Sequence, residues 1–101
     1  MSFELLQQVR IVDMNNELLT EVTFRHGSYT GIAVAVGATV ISYPLGLKEF
    51  EVVYDRRSHE PAHYKIVDIE LDLLAEPVVT RVLLEKVTLI VGQHDVGQIV
   101  E

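Results

Sequence analysis

The most regular alternation of apolar and polar residues runs from Tyr64 to Leu74. Its period of two is typical of a strand with one dry face and one wet face. The apolar positions are Val67, Ile69, Leu71 and Leu73, and the acidic positions between them are Asp68, Glu70 and Asp72. We therefore predict a strand whose acidic side faces solvent and pairs with Arg81 or Lys86 on the next element.

The following run, from Val78 to Val91, is apolar on both faces and rich in β-branched residues. This composition favours a strand that is covered on both sides and that forms the core together with the preceding strand. A helix over residues 77–90 is the alternative, because Pro77 suits a first helical position. The residues that would share its apolar face are Val79, Val82, Leu83, Val87 and Ile90. Periodicity does not decide between the two for so short a run.

Apolar residues at odd positions predict a strand near the start of the chain, although a short helix fits part of the same segment. The odd positions are Phe3, Leu5, Val9 and Ile11, and the helical spacing is that of Phe3, Leu6 and Val9. Asn15 and Asn16 then predict a two-residue hairpin turn, since asparagine tolerates a positive φ. Pairing outward from this turn sets like residues side by side and joins opposite charges. The predicted pairs are Val12 with Leu19, Ile11 with Thr20, Arg10 with Glu21 and Val9 with Val22.

Five further segments complete the chain. Residues 29–41 are rich in Gly, Ala and Val, and we predict a strand there that another segment approaches closely. Residues 43–46 predict a turn, residues 50–54 a short strand, and residues 55–63 an exposed loop. Residues 92–101 either pair as an edge strand or remain loose.

These elements predict a mainly β protein of about six or seven strands, in which neighbours in sequence pair in space. With 101 residues, the chain is long enough for one domain, and we expect a single β-rich domain over residues 1–101. The predicted architecture is a small antiparallel sandwich or a partly open barrel. A helix at about 77–90 would make the fold α+β instead.

The high content of hydrophobic residues indicates that the protein assembles into an oligomer. Hydrophobic residues make up 49% of the chain and the mean hydropathy is +0.25, which is high for a domain with so much surface relative to its volume. A domain of this size does not easily enclose so many apolar residues in its own interior. We therefore expect a homo-oligomer, in which another subunit covers apolar surface.

Charge and cysteine content exclude several functional classes. The formal net charge is −7, and Arg56 and Arg57 are the single adjacent pair of basic residues, so nucleic-acid binding is disfavoured. With no cysteine, the chain holds no disulfide, thiolate metal site or cysteine nucleophile, which fits the cytosol. The first residues lack the pattern of a signal peptide, and no apolar run reaches the roughly 18 residues of a membrane helix. We predict a cytoplasmic protein without membrane contact.

One short motif matches a metal site. His59, Glu60 and His63 form H-E-x-x-H, which in metalloproteases lies on a helix that aims both histidines at zinc. Here Pro61 disfavours a helix and the flanking runs are strand-like, so a solvated loop is the favoured interpretation. The alternative is a divalent-metal or small-ligand site, which could belong to a hydrolase, that uses the loop of residues 55–63.

Interface residues are the better candidates for function. Tyrosine and arginine are enriched at protein–protein contacts. The candidates of these two types are Tyr29, Tyr43, Tyr54, Tyr64, Arg56 and Arg57. The sequence shows neither a phosphate-binding glycine loop nor a catalytic triad. We therefore expect a non-enzymatic assembly or interaction protein that acts as a homo-oligomer without a cofactor, with a larger protein as a second candidate partner. An enzyme is the less favoured interpretation.

Overall fold

The computed structural model describes residues 2–57 and 60–96. Within these ranges the chain forms seven strands and no helix. The strands are β1 (Ser2–Val12), β2 (Leu18–Thr30), β3 (Thr39–Ser42), β4 (Leu45–Lys48), β5 (Glu51–Tyr54), β6 (Ala62–Asp72) and β7 (Val79–Ile90). The predicted mainly β class is therefore confirmed, and the alternative helices at the N-terminal segment and at 77–90 are wrong.

Five strands form one sheet in the order β2-β1-β7-β6-β3, and β4 and β5 form a separate hairpin. The sheet is open rather than closed, which agrees with a small sandwich or partly open barrel. The β1/β2, β4/β5 and β6/β7 pairs join neighbours in sequence and are antiparallel, as predicted for a meander. Two pairs depart from that prediction, because β3 pairs with β6 across two intervening strands and β1 runs parallel to β7.

One face of the large sheet, here called the core face, is covered by the β4–β5 hairpin and by residues 31–38. Two clusters of buried residues fill this layer. The first is Phe3, Leu5, Tyr64, Ile66, Val82 and Leu84, and the second is Val9, Ile11, Leu45, Leu47, Val52 and Leu89. The opposite face, here called the polar face, carries surface ion pairs such as Arg10–Glu21 at 3.3 Å and Glu4–Arg25 at 3.5 Å. The prediction that β7 is covered on both sides is therefore wrong.

The predicted β1–β2 hairpin is confirmed with a longer turn. Asn16 has a φ of 65°, and the Asp13 carboxylate accepts hydrogen bonds from the backbone amides of Asn15 and Glu17. Asp13 and Glu17 close a three-residue loop with an asparagine in the left-handed region, a common hairpin form. Three of the four predicted pairs are confirmed: Val9 with Val22, Arg10 with Glu21 and Ile11 with Thr20.

The fourth predicted pair fails because β2 contains β-bulges. Val12 pairs with Leu18, so Leu19 is an extra residue without a partner on β1. A second bulge lies further along, where Leu5 pairs with Gly27 and Leu6 with Arg25, leaving His26 unpaired. A bulge re-aims the side chain of its extra residue, and this one decides where His26 points.

The prediction of one strand over residues 29–41 is wrong. β2 ends at Thr30, and residues 31–38 form an irregular segment before β3 begins at Thr39. Gly31 and Gly37 have φ values of 77° and 96°, which interrupt an extended chain. The expected close approach does occur, since the Gly37 amide donates to the Ile66 carbonyl at 2.8 Å.

The turn predicted at residues 43–46 is confined to its first half, because Leu45 and Gly46 already belong to β4. The chain reverses direction further on, in the β4–β5 turn, where Lys48 pairs with Glu51 across Glu49 and Phe50. The predicted short strand at 50–54 is β5, without its first residue. The C-terminal segment contributes a bridge between Leu47 and Asp95, and residues 97–101 lie outside the described residues.

The strand predicted over residues 64–74 is β6, but the prediction of which side chains form its buried face is largely wrong. Val67, Leu71 and Leu73 are 53%, 63% and 74% exposed. A bulge lies between Ile66 and Asp68, so that Tyr64 and Ile66 point into the core, and the far end of the β6–β7 hairpin is left uncovered. The expected pairing of the acidic face is confirmed for Asp72 with Arg81 at 3.3 Å, whereas Lys86 pairs with Glu21.

In the described part of the chain, no helix has the length and apolar character needed to cross a membrane.

Candidate functional site

A cavity of about 500 Å³ opens between β2, β3 and the end of β5. Its walls include Tyr29, Tyr43, Tyr54 and Arg56, and we call it the tyrosine cleft. Its volume lies within the range of small-molecule pockets, which are mostly apolar and aromatic with a few polar groups. Strand ends and connections position all four side chains, so the sheet provides the frame and the loops provide the chemistry.

A second cavity of about 250 Å³ adjoins the cleft and is lined almost entirely by apolar side chains, among them Ile32 and Val34 from the segment after β2. Four residues line both cavities: His26, Tyr29, Ile41 and Ser42. The cleft therefore has an aromatic part near Arg56 and an apolar part above the first core cluster.

A chain of hydrogen bonds anchors the cleft to the sheet. Gln7 is fully buried on the core face of β1, where its Nε2 donates to the Glu85 carbonyl at 2.8 Å. Its Oε1 faces His26 Nε2 at 2.8 Å, and His26 Nδ1 lies 2.9 Å from the Tyr54 hydroxyl. An amide oxygen only accepts, so His26 carries its proton on Nε2 and accepts from Tyr54 at Nδ1. One buried amide thus fixes the histidine tautomer and the direction of the tyrosine hydroxyl.

The same burial tunes the acid–base properties of the cleft. Desolvation lowers the pKa of His26, which favours the neutral ring that the hydrogen bonds require. Desolvation also raises the pKa of Tyr54, and a hydrogen bond with Ser42 offsets part of that effect. The floor of the cleft is therefore uncharged at neutral pH, and the cationic group on its wall is Arg56.

Ring contacts hold the aromatic residues in place. Phe24 meets Tyr54 edge-on with centroids 5.3 Å apart, and Tyr43 lies 5.8 Å from Tyr54. The Arg56 guanidinium is 5.1 Å from the Tyr43 ring and 6.0 Å from the Tyr54 ring. These distances fit cation–π contacts, which hold the Arg56 guanidinium over the tyrosine rings.

The structure brings four of the six predicted interface residues together and separates the other two. Tyr64 is buried in the first core cluster, where burial raises the pKa of its hydroxyl. Arg57 lies outside the cleft and forms a two-point ion pair with Asp55, the shorter contact being 2.7 Å. That pairing lowers the pKa of the Asp55 carboxyl.

Sequence reasoning missed Gln7 and His26. A signal for Gln7 exists, since it is the single polar residue in the odd-position series of β1, between Leu5 and Val9. A polar residue on a dry face needs buried partners, which is what the structure shows. His26 gives no such signal, because its direction depends on a bulge.

The described part of the H-E-x-x-H motif, residues 60–63, forms no helix, since β6 begins at Ala62 and includes His63. Glu60 lines the tyrosine cleft, His63 is exposed on β6 opposite Ile41, and His59 lies outside the described residues. Within residues 2–57 and 60–96, no three His, Asp or Glu side chains are grouped closely enough to hold a metal ion. A metal site at His59, Glu60 and His63 stays a prediction, because His59 lies outside these ranges.

A second candidate surface is the free edge of β2, the edge that faces away from β1. A groove of about 530 Å³ follows it, between Val22–Arg25 on one side and Glu49–Val52 on the other. Phe50 is 65% exposed in this groove, and its φ of 68° is rare for a bulky residue. Glu49 and Phe50 both have a positive φ, as a two-residue hairpin turn requires, so the exposure of the Phe50 ring is the feature that indicates a binding surface.

Comparisons of the chain with protein-family models, with curated proteins and with solved structures find no match.

Proposed function

We propose that the protein is a non-enzymatic assembly protein that associates with itself along the free edge of β2. The observation that carries this proposal is that β2, a strand of thirteen residues, has one edge that pairs with none of the other described strands. Unpaired strand edges readily pair with another chain. Leu18, Leu19 and Val22 are exposed on the same strand, so association would also remove apolar surface from water.

A second open edge makes the choice of β2 more specific. β3 pairs with β6 over Ala62–Lys65, so along the remainder of β6 the edge that faces away from β7 has no strand beside it among the described residues. That remainder carries Asp68, Glu70 and Asp72, and like charges placed opposite each other oppose self-pairing. The free edge of β2 instead carries both signs of charge.

The remaining parts of the proposal rest on composition. A cytoplasmic location is supported by the absence of cysteine, and the net charge of −7 favours a protein partner over a nucleic acid. A larger protein partner, if one binds, would meet the surfaces that a dimer leaves open.

Val22→Lys tests the proposal, because a lysine on an edge strand is a common device against edge pairing. We expect the native protein to sediment as a dimer and the variant to dissociate at concentrations at least tenfold higher. The lysine stem can lie along the sheet while its ammonium reaches solvent, so the fold should persist. Sedimentation velocity over a concentration series gives the mass, and circular dichroism checks the fold.

Leu71→Lys is the matched control, since Leu71 is exposed on the open part of β6. We expect this variant to remain as dimeric as the native protein. A native protein that sediments as a monomer at all concentrations would contradict the proposal, as would a variant at Leu71 that dissociates while the variant at Val22 does not.

A second candidate function is small-ligand binding in the tyrosine cleft, and the position of Arg56 favours it. A guanidinium held over tyrosine rings at the wall of a 500 Å³ cavity suits a planar aromatic carboxylate, whose ring stacks on tyrosine while its carboxylate meets the cation. Arg56 and Glu60 come from the loop of residues 55–63, so this candidate is the ligand-binding alternative that the sequence predicts.

Arg56→Gln tests the ligand site, with 4-hydroxybenzoate as the probe and calorimetry as the measurement. We expect the variant to bind at least tenfold more weakly, because the charge-assisted contact is lost. Arg57→Gln is the control, since Arg57 is paired with Asp55 outside the cleft. Equal binding by the native protein and the Arg56 variant, or no binding by the native protein, would exclude this ligand class.

A further inference from the structure

We infer that two copies of β2 pair in antiparallel fashion about a two-fold axis that passes through Thr23. This inference rests on the proposed self-association and adds the register of the interface. An antiparallel pair with a two-fold axis at residue 23 sets residue 21 opposite residue 25 of the second copy, and residue 22 opposite residue 24.

The segment from Glu21 to Arg25 is complementary to itself in this register. Glu21 lies opposite the second copy's Arg25, and the symmetry repeats the pair, so two ion pairs form. Val22 lies opposite Phe24, a β-branched residue against an aromatic one, and Thr23 meets Thr23 on the axis. Each of these cross-strand combinations is favourable in antiparallel sheets.

The neighbouring registers lose this complementarity. An axis at Val22 sets Glu21 opposite Thr23 and Arg25 opposite Leu19, so neither charge meets an opposite charge across the interface. An axis at Phe24 sets Arg25 opposite Thr23 and Val22 opposite His26. Of these three registers, the axis at Thr23 is the one that joins charge to charge and apolar to apolar.

The existing fold presents these side chains on the correct faces. Glu21, Thr23 and Arg25 lie on the polar face, as their contacts with Arg10, Gln8 and Glu4 show. Val22 and Phe24 lie on the core face, opposite Val9 and Gln7 of β1. A second copy added in this register would therefore extend both faces of the sheet without exchanging their character.

The bulges of β2 define the length of the paired segment. The bulge residues Leu19 and His26 bound a stretch, Thr20–Arg25, that is regular against β1. A regular partner strand fits this stretch, and the bulges limit pairing beyond it. Because the two-fold contact uses the same edge of both copies, it closes at a dimer rather than continuing into a fibre.

The same register gives Phe50 a partner. Phe50 lies across the groove from Val22–Arg25, on the side of the sheet to which Val22 and Phe24 point. The second copy's Val22 and Phe24 point to that side as well, next to the exposed ring. Contact in the dimer thus accounts for an exposed aromatic residue in the β4–β5 turn, where the φ of 68° would suit asparagine with less strain.

Cysteine cross-linking tests the register, because the native chain has no cysteine. We expect Thr23→Cys to form a disulfide-linked dimer on mild oxidation, since residues directly opposite in a sheet have Cα atoms within disulfide range. Glu21→Cys and Arg25→Cys should cross-link when mixed and not when oxidised separately. If the native protein is a dimer but Thr23→Cys does not cross-link, the register is overturned and the proposed self-association stands. The same holds if Glu21→Cys or Arg25→Cys cross-links when oxidised on its own. A monomeric native protein would overturn both.

Charge exchange and Phe50 supply independent readouts. Glu21→Lys and Arg25→Glu should each dissociate at least tenfold more readily, whereas a mixture of the two should form a heterodimer with one ion pair in reversed order and the other in the native order. Phe50→Asn should raise the melting temperature of the diluted monomer and weaken the dimer. A mixture that stays monomeric, or a Phe50 variant that dimerises as the native protein does, would contradict the interface.

Discussion

Replacing Gln7 with leucine is expected to lower the free energy of unfolding by about 3 kcal/mol, even though leucine is the more hydrophobic residue. The substitution leaves the Glu85 carbonyl and the His26 Nε2–H without their partner. A buried polar group that loses its hydrogen bond costs about 1–3 kcal/mol, and two such groups are stranded here. The measurement is urea denaturation followed by circular dichroism.

Gln8→Leu is the control, since Gln8 is the adjacent glutamine but is exposed on the polar face. We expect its effect to stay within about 0.5 kcal/mol. The double variant Gln7→Leu with His26→Leu should recover part of the loss, because it removes one of the two stranded groups. A Gln7 variant as stable as the native protein would show that the buried hydrogen-bond chain does not hold β2 to the core.

Replacing Gly46 with alanine is expected to lower the free energy of unfolding by about 2 kcal/mol, as overpacking of a close contact does. A Cβ at this position would lie 2.9 Å from the His94 carbonyl oxygen and 2.7 Å from a methyl group of Val96. The C-terminal segment is held there by hydrogen bonds from the Leu47 amide to His94 and from the Val96 amide to Leu47. The substitution should therefore push this segment away from β4.

Hydrogen exchange at the Val96 amide measures this displacement separately from global unfolding, and we expect exchange at least tenfold faster in the variant. Lys48→Ala is the control, because Lys48 is exposed at the other end of β4. Unchanged exchange at Val96 in the Gly46 variant would mean that the close contact is not needed for docking.

The sequence predicts those parts of the fold that depend on local pattern. The odd-position series in β1 and the β-branched run in β7 identify strands, and the Arg10–Glu21 pair identifies the register of the first hairpin. The bulges at Leu19, His26 and Val67 are not predictable in this way. A bulge depends on how one strand meets its neighbour, so it shifts which residues are buried without leaving a local signal.

The candidate surfaces are predictable to a similar extent. Residue type alone selects Tyr29, Tyr43, Tyr54 and Arg56, because amphipathic aromatic and guanidinium groups are enriched at binding surfaces. That they share one cleft depends on the contact between the last part of β2 and the end of β5, seen in the His26–Tyr54 hydrogen bond. That β2 lies at the edge of the sheet depends on the order of the strands. The alternation of apolar and polar residues does not predict this order.

The two surfaces are structurally coupled. Phe24 belongs to the edge segment of β2, and its ring meets both His26 and Tyr54 edge-on, at 4.8 and 5.3 Å. A strand added at the free edge would therefore cover a residue that supports the wall of the tyrosine cleft.

Amide hydrogen exchange in β2 at two protein concentrations tests the central claim most directly. Dimer formation about Thr23 predicts that amides of Glu21–Arg25 that point away from β1 exchange slowly in concentrated solution and faster on dilution, while β1 and β7 amides change little. Equally fast exchange of those edge amides at both concentrations would contradict pairing through β2, whatever the mass of the protein.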